Sequence, residues 1–186
     1  MKKIFLFILI LWQVNSFAQV EIPTLKNWAN DFSNTLNGSE LNYLNNDLKQ
    51  FADSTSNQVV LLMIPTLNDY PIEMFAYETA TKNKIGTKEN NNGILFIIAK
   101  NDKKLRIEVG YGLEGALPDA LCGSILRNEV RPYFKQGEYF EGIKAGINAI
   151  KAATVGEYKA PPKEKNKSKF KGFSSFIIII IFIIIS

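Results

Sequence analysis

The sequence has 186 residues, of which 22 are Lys or Arg and 18 are Asp or Glu, with one Cys and no His. The lack of His excludes Ser-His-Asp and Cys-His catalysis and imidazole metal ligands, and a single Cys excludes an intrachain disulfide and a CxxC zinc or redox site. A bound metal must therefore be a hard cation with oxygen ligands, such as calcium, magnesium or manganese. The length suits one domain of ordinary size.

The net charge of +4 is concentrated at the two ends of the chain. Residues 1–18 contain two lysines, and residues 163–171 contain five. Between residues 19 and 160 there are 15 basic and 17 acidic residues, which gives −2. The central part therefore predicts no nucleic-acid partner, because phosphate-backbone binding needs an excess of positive charge.

Residues 1–18 have the pattern of a secretory signal peptide. Lys2 and Lys3 precede an apolar run over 4–12, and Ser16 and Ala18 supply the small residues before a cleavage site. We expect Gln19 to be the mature N-terminus. The alternative is an uncleaved anchor, although this run is shorter than the roughly 20 residues that span a bilayer.

The first half of the predicted domain (19–153) alternates helices and buried strands. A capping-box pattern at Asn37 and Glu40 predicts a helix over 38–54. The apolar run 58–64 predicts a buried strand that stops at Pro65. Asp69, Tyr70 and Pro71 are expected to cap a second helix.

The second half begins with a predicted β-hairpin. The apolar run 94–99 predicts a buried strand, 100–103 a turn, and the alternating segment 105–109 a half-exposed strand. Pro118 is expected to open a helix that Pro132 ends or kinks, and a last helix is predicted over 138–152. This order predicts an α/β domain in which helices flank both faces of a small mixed sheet, an α/β/α sandwich.

The C-terminal part reads as a linker followed by a membrane segment. Residues 154–171 are rich in Lys and Pro and predict a linker, and residues 172–186 are mostly Ile and predict an anchor, with a buried strand as the alternative. This places the domain outside the cytoplasmic membrane, tethered to the cell envelope on the periplasmic side. The lysine run then lies outside, against the positive-inside bias, so it either binds anionic lipid there or the orientation is inverted; the signal peptide favours the first.

Two polar, glycine-rich segments are candidates for chemistry: 86–93, before the first hairpin strand, and 110–119, after the second. Hairpin geometry brings them to one end of the sheet, where their glycines permit positive φ and close backbone approach. The candidate residues there are Glu89, Asn91, Asn92, Tyr111, Glu114 and Asp119. Carboxylate and amide oxygens of this kind suit Ca²⁺ or Mg²⁺. The alternative is a purely structural turn, a helix-end carboxylate and a solvated Glu.

Two further sequence features do not indicate a functional site. The glycines at 110, 112 and 115 match the letters GxGxxG, but they follow a hairpin strand and not the first strand of a βαβ unit, so they do not indicate dinucleotide binding. Cys122 lies in an apolar helix pattern and is expected to be a core residue, as no His is present to activate it.

Several segments in order resemble the TPM domain family: Ala29–Phe32 before the first helix, the strand 59–64, the Asn-Asn-Gly93 turn leading into 94–99, and 106–119. The resemblance implies an α/β/α sandwich and a cleft whose acidic loop residues bind divalent cations in some members. It extends the metal candidates to Asp31, beside Asn91, Glu114 and Asp119. The usual turn of the family is Asp-Asn-Gly, so Asn91 replaces a carboxylate. Simple topology does not place Asp31 clearly at the same end.

The family's activities are not uniform, because relatives in the thylakoid lumen are reported as acid phosphatases and a nematode relative assists acetylcholine receptors. The favoured reading is an exported, membrane-tethered domain that binds a divalent cation and a protein partner without strong catalytic activity. The alternative is a metal-dependent acid phosphatase, with Asp31 or Asp119 as nucleophile or ligand and Arg106 steadying the phosphate charge. A structural protein without a ligand is the third reading.

Overall fold

The computed structural model describes residues 21–158. The predicted signal peptide, the predicted membrane segment and most of the predicted linker lie outside this part of the chain. Its strands are β1 (Ala29–Asp31), β2 (Gln58–Ile64), β3 (Gly93–Ala99) and β4 (Lys104–Val109). Its α-helices are α1 (Gly38–Thr55), α2 (Ile72–Lys82), α3 (Asp119–Ile125), α4 (Arg131–Lys135) and α5 (Tyr139–Thr154). None of the helices in this part is long and apolar enough to cross a membrane.

The four strands form one mixed sheet in the order β1-β2-β3-β4. The first three are parallel, and β3 and β4 form the predicted antiparallel hairpin. Strand β1 was not predicted, because its three residues carry no apolar pattern and it exists only by pairing with β2, where Ala29 lies opposite Leu61. It adds one strand to the predicted order.

Helices cover both faces of the sheet, which confirms the α/β/α prediction. Alternate side chains of β2 point to opposite faces: Leu61 and Met63 pack with α1, α3 and α5, and Val60 and Leu62 pack with α2. Every residue of β3 is buried. A central strand covered on both faces explains why its sequence is continuously apolar and not alternating.

Helix α1 begins at the predicted capping box. The Asn37 side chain accepts a hydrogen bond from the Glu40 N–H at 3.0 Å, and the Glu40 carboxylate accepts one from the Asn37 N–H at 2.8 Å. Two of the free donors at the helix N-terminus are thereby satisfied, a contribution of about 1 kcal/mol for the cap.

Of the two outcomes predicted at Pro132, an end or a kink of the helix opened by Pro118, the end does not occur: the helix passes through an irregular π-helical turn (Leu126–Val130) into α4. Pro132 lies directly after this turn, in the first turn of α4, a position where Pro is tolerated. The prediction for the cap of the second helix needs correction. Before α2, Pro71 itself is the N-cap and no side chain caps the helix, so Asp69 does not have the predicted capping role.

Candidate functional site

The two glycine-rich segments meet at the amino-terminal end of β3. The Gly110 N–H donates to the Gly93 carbonyl at 2.7 Å, and the Gly112 N–H donates to the Asn91 carbonyl at 3.1 Å. These contacts continue the hairpin register, in which Ile94 lies opposite Val109. Segments 86–93 and 110–119 therefore form one surface linked through its backbone, which we call the loop surface.

The close approach of two backbone segments explains why two positions of the loop surface are glycine. A Cβ at Gly110 would overlap the Asn91 carbonyl oxygen, and a Cβ at Gly112 would overlap the Asn90 carbonyl oxygen. A Cβ at Gly115, by contrast, would meet nothing within 4 Å. None of these three glycines has a positive φ, so it is contact between the segments and not a left-handed turn that requires Gly110 and Gly112.

Asn92 is buried and holds the loop surface to the rest of the fold. Its side-chain oxygen accepts from the Thr87 N–H at 2.9 Å, and its amide nitrogen donates to the Ser56 carbonyl at 2.6 Å. Its backbone carbonyl accepts from the Gln58 N–H at 3.0 Å. The predicted binding residue Asn92 therefore has its polar groups committed to structure.

The side chains of Glu89, Asn91, Glu114 and Asp119 are exposed on the loop surface. Asn91 has a φ of 47°, a left-handed conformation that Asn and Asp adopt more readily than other side chains. Within residues 21–158, none of the three carboxylates forms an ion pair, and no three Cys, Asp or Glu side chains are grouped to hold a metal ion. A cation here would need carbonyl oxygens and water as further ligands.

Tyr111 and Arg106 differ in how freely their side chains can contact a ligand or partner. Tyr111 is 81% exposed, at the start of a short 3₁₀ turn (Tyr111–Leu113). Arg106 forms an ion pair with Glu108 at 2.7 Å, and both side chains are partly buried. Tyr111 can therefore contact a partner directly, whereas the positive charge of Arg106 is already balanced in part by Glu108.

Asp31 lies at the opposite end of the sheet from the loop surface. Its strand register pairs it with Met63 near the carboxyl end of β2, whereas Gly93 pairs with Gln58 at the other end. Asp31 cannot share a site with Asn91, Glu114 and Asp119 across the length of the sheet. The sequence left the position of Asp31 open because β1, the strand that carries it, is not predicted from the sequence.

The Asp31 carboxylate organises the chain that follows it. One oxygen accepts from the N–H and the hydroxyl of Ser33, and the other accepts from the N–H groups of Thr35 and Leu36, at 2.6–2.8 Å. Burial raises the pKa of Asp31, but the hydrogen bonds from Leu36, Ser33 and Thr35 outweigh it and hold the pKa below its ordinary value of 3.8. Four donors occupy the acceptor sites of this carboxylate.

The sequence patterns do not reveal a groove of about 650 Å³ beside β1. Five asparagines line it, three of them from α1: Asn27, Asn30, Asn42, Asn45 and Asn46. The Asn45 side chain accepts from the Ala29 N–H at 2.9 Å and donates to the Ala29 carbonyl at 3.4 Å. Asn45 thus occupies the outward-facing groups of β1 and closes this sheet edge to further strands.

Cys122 is a core residue, as predicted. It is 4% exposed, and burial followed by the nearby charge of Asp119 raises the pKa of its thiol to about 12. A thiol in this environment stays protonated and does not act as a nucleophile.

Solved structures of bacterial domains share this fold. An N-terminal domain of a protein from P. gingivalis is 30% identical, with a TM-score of 0.65, over 70% of this chain and 83% of that one. The BA42 protein of the psychrophilic bacterium Bizionia argentinensis is 19% identical, with a TM-score of 0.58, over 70% and 89% of the two chains. An N-terminal domain of the cg2496 protein of Corynebacterium glutamicum is 11% identical, with a TM-score of 0.54, over 80% and 92%. The last two, at this identity, show the fold alone.

No curated protein matches the chain. The family model of the TPM domain matches residues 29–153, which run from the first residue of β1 almost to the end of α5 and so include the whole sheet, both helical layers and the loop surface. The chain therefore belongs to the TPM domain family.

Proposed function

We propose that the chain is an exported, membrane-tethered binding domain whose loop surface holds a divalent cation, Ca²⁺ or Mg²⁺, and contacts a protein partner. The observation that carries the proposal is the backbone linkage of two segments that expose three carboxylates without basic partners in the described part of the chain. The linkage fixes the segments before any ligand arrives, which lowers the entropic cost of binding. Export and tethering rest on the patterns of residues 1–18 and 172–186.

The composition of the loop surface favours weak cation binding. Asn91 is neutral, and the ligands would come from few side chains supplemented by carbonyl oxygens and water. Calcium sites of low charge in extracellular modules have dissociation constants of about 10⁻⁴–10⁻³ M. We expect a constant in this range, which suits a compartment that is rich in calcium.

Tyr111 supports a protein partner at the same surface. Its side chain is exposed next to the carboxylates, and Tyr is enriched among the residues that dominate protein–protein binding. A cation bound between Asn91 and Glu114 would stiffen the segment that carries Tyr111, so partner binding is expected to depend on the cation.

The alternative function is a metal-dependent acid phosphatase. The described geometry supports it less, since Arg106 is paired with Glu108, the Asp31 carboxylate is fully hydrogen-bonded and the Cys122 thiol is buried. Asp119 is the remaining nucleophile or ligand. If the phosphatase alternative holds, Asp119→Asn abolishes hydrolysis of p-nitrophenyl phosphate, and unchanged hydrolysis would remove Asp119 from the reaction.

The proposal is tested by titrating Ca²⁺ and Mg²⁺ into the full chain in a neutral maltoside detergent, followed by NMR. Shifts are expected at 89–93 and 110–119, and Glu114→Gln should weaken them. Glu73→Gln is the matched control, because Glu73 is an exposed carboxylate in the first turn of α2, outside the loop surface. Equal titrations of the two variants would contradict the proposed site.

A further inference from the structure

A cavity of about 510 Å³ lies at the carboxyl end of β3, at the opposite end of that strand from the loop surface. It is open to solvent and is bordered by the hairpin turn on one side and by α4 and the start of α5 on the other. Four cationic side chains line it: Lys100, Lys103, Arg131 and Lys135. The remaining lining residues are apolar or aromatic: Ile98, Ala99, Leu105, Phe134 and Tyr139.

The charge of this cavity is unbalanced. No acidic residue lines it, and within residues 21–158 the ion pairs involve Lys49, Arg106, Lys144 and Lys151 but none of the four cavity cations. The carboxylate of Asp102, in the same hairpin turn, is engaged by the Thr66 hydroxyl and the Leu67 N–H. Four like charges around one cavity repel one another, and a bound anion would remove that cost.

The aromatic walls of the cavity favour a ligand that also has an apolar part. The rings of Phe134 and Tyr139 have centroids 4.9 Å apart, and the Lys100 ammonium lies 5.0 Å from the centre of the Tyr139 ring. One cation therefore faces the aromatic pair directly, and the lining is not purely polar. The volume is in the range of pockets that take small molecules, about 300–1,000 Å³.

We propose that this cavity binds a small organic anion that carries at least two negative charges and a compact apolar body. The charged group is held by Arg131, Lys135 and the hairpin lysines, and the apolar body contacts Phe134 and Tyr139. Arg131 supplies a planar pair of donors that matches a phosphonate or carboxylate. This site is separate from the cation site and does not depend on it.

The test uses phenylphosphonate as the probe, titrated into the full chain in a neutral maltoside detergent and followed by calorimetry and NMR. Phenylphosphonate is expected to shift resonances of 98–105 and 131–139. It should bind at least about tenfold more tightly than inorganic phosphate, which has the charge without the apolar body. Equal affinity for the two anions, or shifts confined to other residues, would overturn the proposal.

Matched variants separate the cavity from general surface charge. Arg131→Gln with Lys135→Gln should weaken phenylphosphonate binding by about tenfold or more, because each charge-assisted hydrogen bond contributes on that order. Both side chains are exposed, so the fold should persist, and Lys135→Arg should retain binding. Lys49→Gln with Lys84→Gln, which removes two exposed charges outside both the cavity and the loop surface, should have no effect. Equal weakening by this double variant would overturn the proposal.

A lipid headgroup could supply the same anionic chemistry as a free anion. Maltoside micelles that contain phosphatidylglycerol therefore form a second arm of the experiment. If the cavity takes a soluble anion, phenylphosphonate binds in plain maltoside micelles and is not displaced by phosphatidylglycerol. Displacement by phosphatidylglycerol, or shifts at 98–105 and 131–139 with phosphatidylglycerol but none with phenylphosphonate, would overturn the proposal in favour of a lipid headgroup.

Discussion

Replacing Gly112 by Ala should separate the two halves of the loop surface. A Cβ at this position overlaps the Asn90 carbonyl oxygen and stands 3.0 Å from the carbonyl carbon of the same residue. Both of these atoms are backbone, so the strain cannot be relieved by a change of rotamer. The segments must move apart, and the hydrogen bond from the Gly112 N–H to the Asn91 carbonyl is the first to be lost.

The expected cost follows from these two effects. Forcing an extra methyl group into a packed site costs about 1–3 kcal/mol, and the lost hydrogen bond adds about 1 kcal/mol. We therefore expect Gly112→Ala to lower the free energy of unfolding by about 2–4 kcal/mol. Urea unfolding of the full chain in neutral detergent, followed by far-ultraviolet circular dichroism, measures this difference.

Gly115→Ala is the matched control, since it lies in the same segment, has no positive φ and would meet nothing within 4 Å. Its free energy of unfolding should stay within about 0.5 kcal/mol of the original or rise slightly. If Gly112→Ala and Gly115→Ala unfold at the same urea concentration, the loops are not held by the close backbone contact described above.

Three further predictions concern buried or partly buried polar groups. The pKa of Asp31 is lowered in the folded state, so its stabilisation is present above the ordinary pKa of 3.8 and is lost as the pH falls through the folded value. Asp31→Asn should therefore lower the free energy of unfolding at pH 7, and the variant's stability should depend less on pH between about 5 and 2 in acid unfolding experiments. Asn92→Ala should lower the free energy of unfolding in urea by about 2–3 kcal/mol, because the Thr87 N–H and the Ser56 carbonyl lose their partner. Asn90→Ala, at an exposed position, should lower it little, and equal losses would refute the role given to Asn92. Cys122, with a thiol pKa raised to about 12, should resist iodoacetamide at pH 8 in the folded chain and react in 8 M urea, as mass spectrometry would show; rapid labelling of the folded chain would contradict its burial.

Local signals in the sequence account for most of the fold. The capping box at Asn37 places the start of α1, and the apolar runs of β2 and β3 identify the two central strands because a strand covered on both faces is apolar throughout. Strand β1 has no such signal, as Ala29–Asp31 becomes a strand only through pairing with β2 and through the Asn45 side chain. Pairing partners distant in sequence are not encoded in a three-residue pattern.

The candidate site could be predicted only in part, again because contacts between distant segments leave no local signal in the sequence. The loop surface could be predicted because a hairpin fixes which ends of its strands meet, and the contact of Gly110 with Gly93 follows from that geometry. The place of Asp31 depended on the undetected β1. The basic cavity could not be predicted, because Lys100 and Arg131 come from a turn and a helix about thirty residues apart, and only the tertiary fold brings them to one cavity.

The central claim, that the loop surface binds a divalent cation, is tested most directly by introducing a carboxylate at position 91. The backbone there is left-handed, a conformation that Asp also tolerates, so Asn91→Asp adds one charge without disturbing the turn. One added charge at about 4 Å from a divalent ion contributes about 2 kcal/mol even in bulk water. Calcium calorimetry on the full chain should therefore show affinity at least about tenfold higher for Asn91→Asp than for the original sequence, whose dissociation constant we expect near 10⁻⁴–10⁻³ M. Identical affinities, or no heat of binding for either protein at millimolar calcium, would contradict the account.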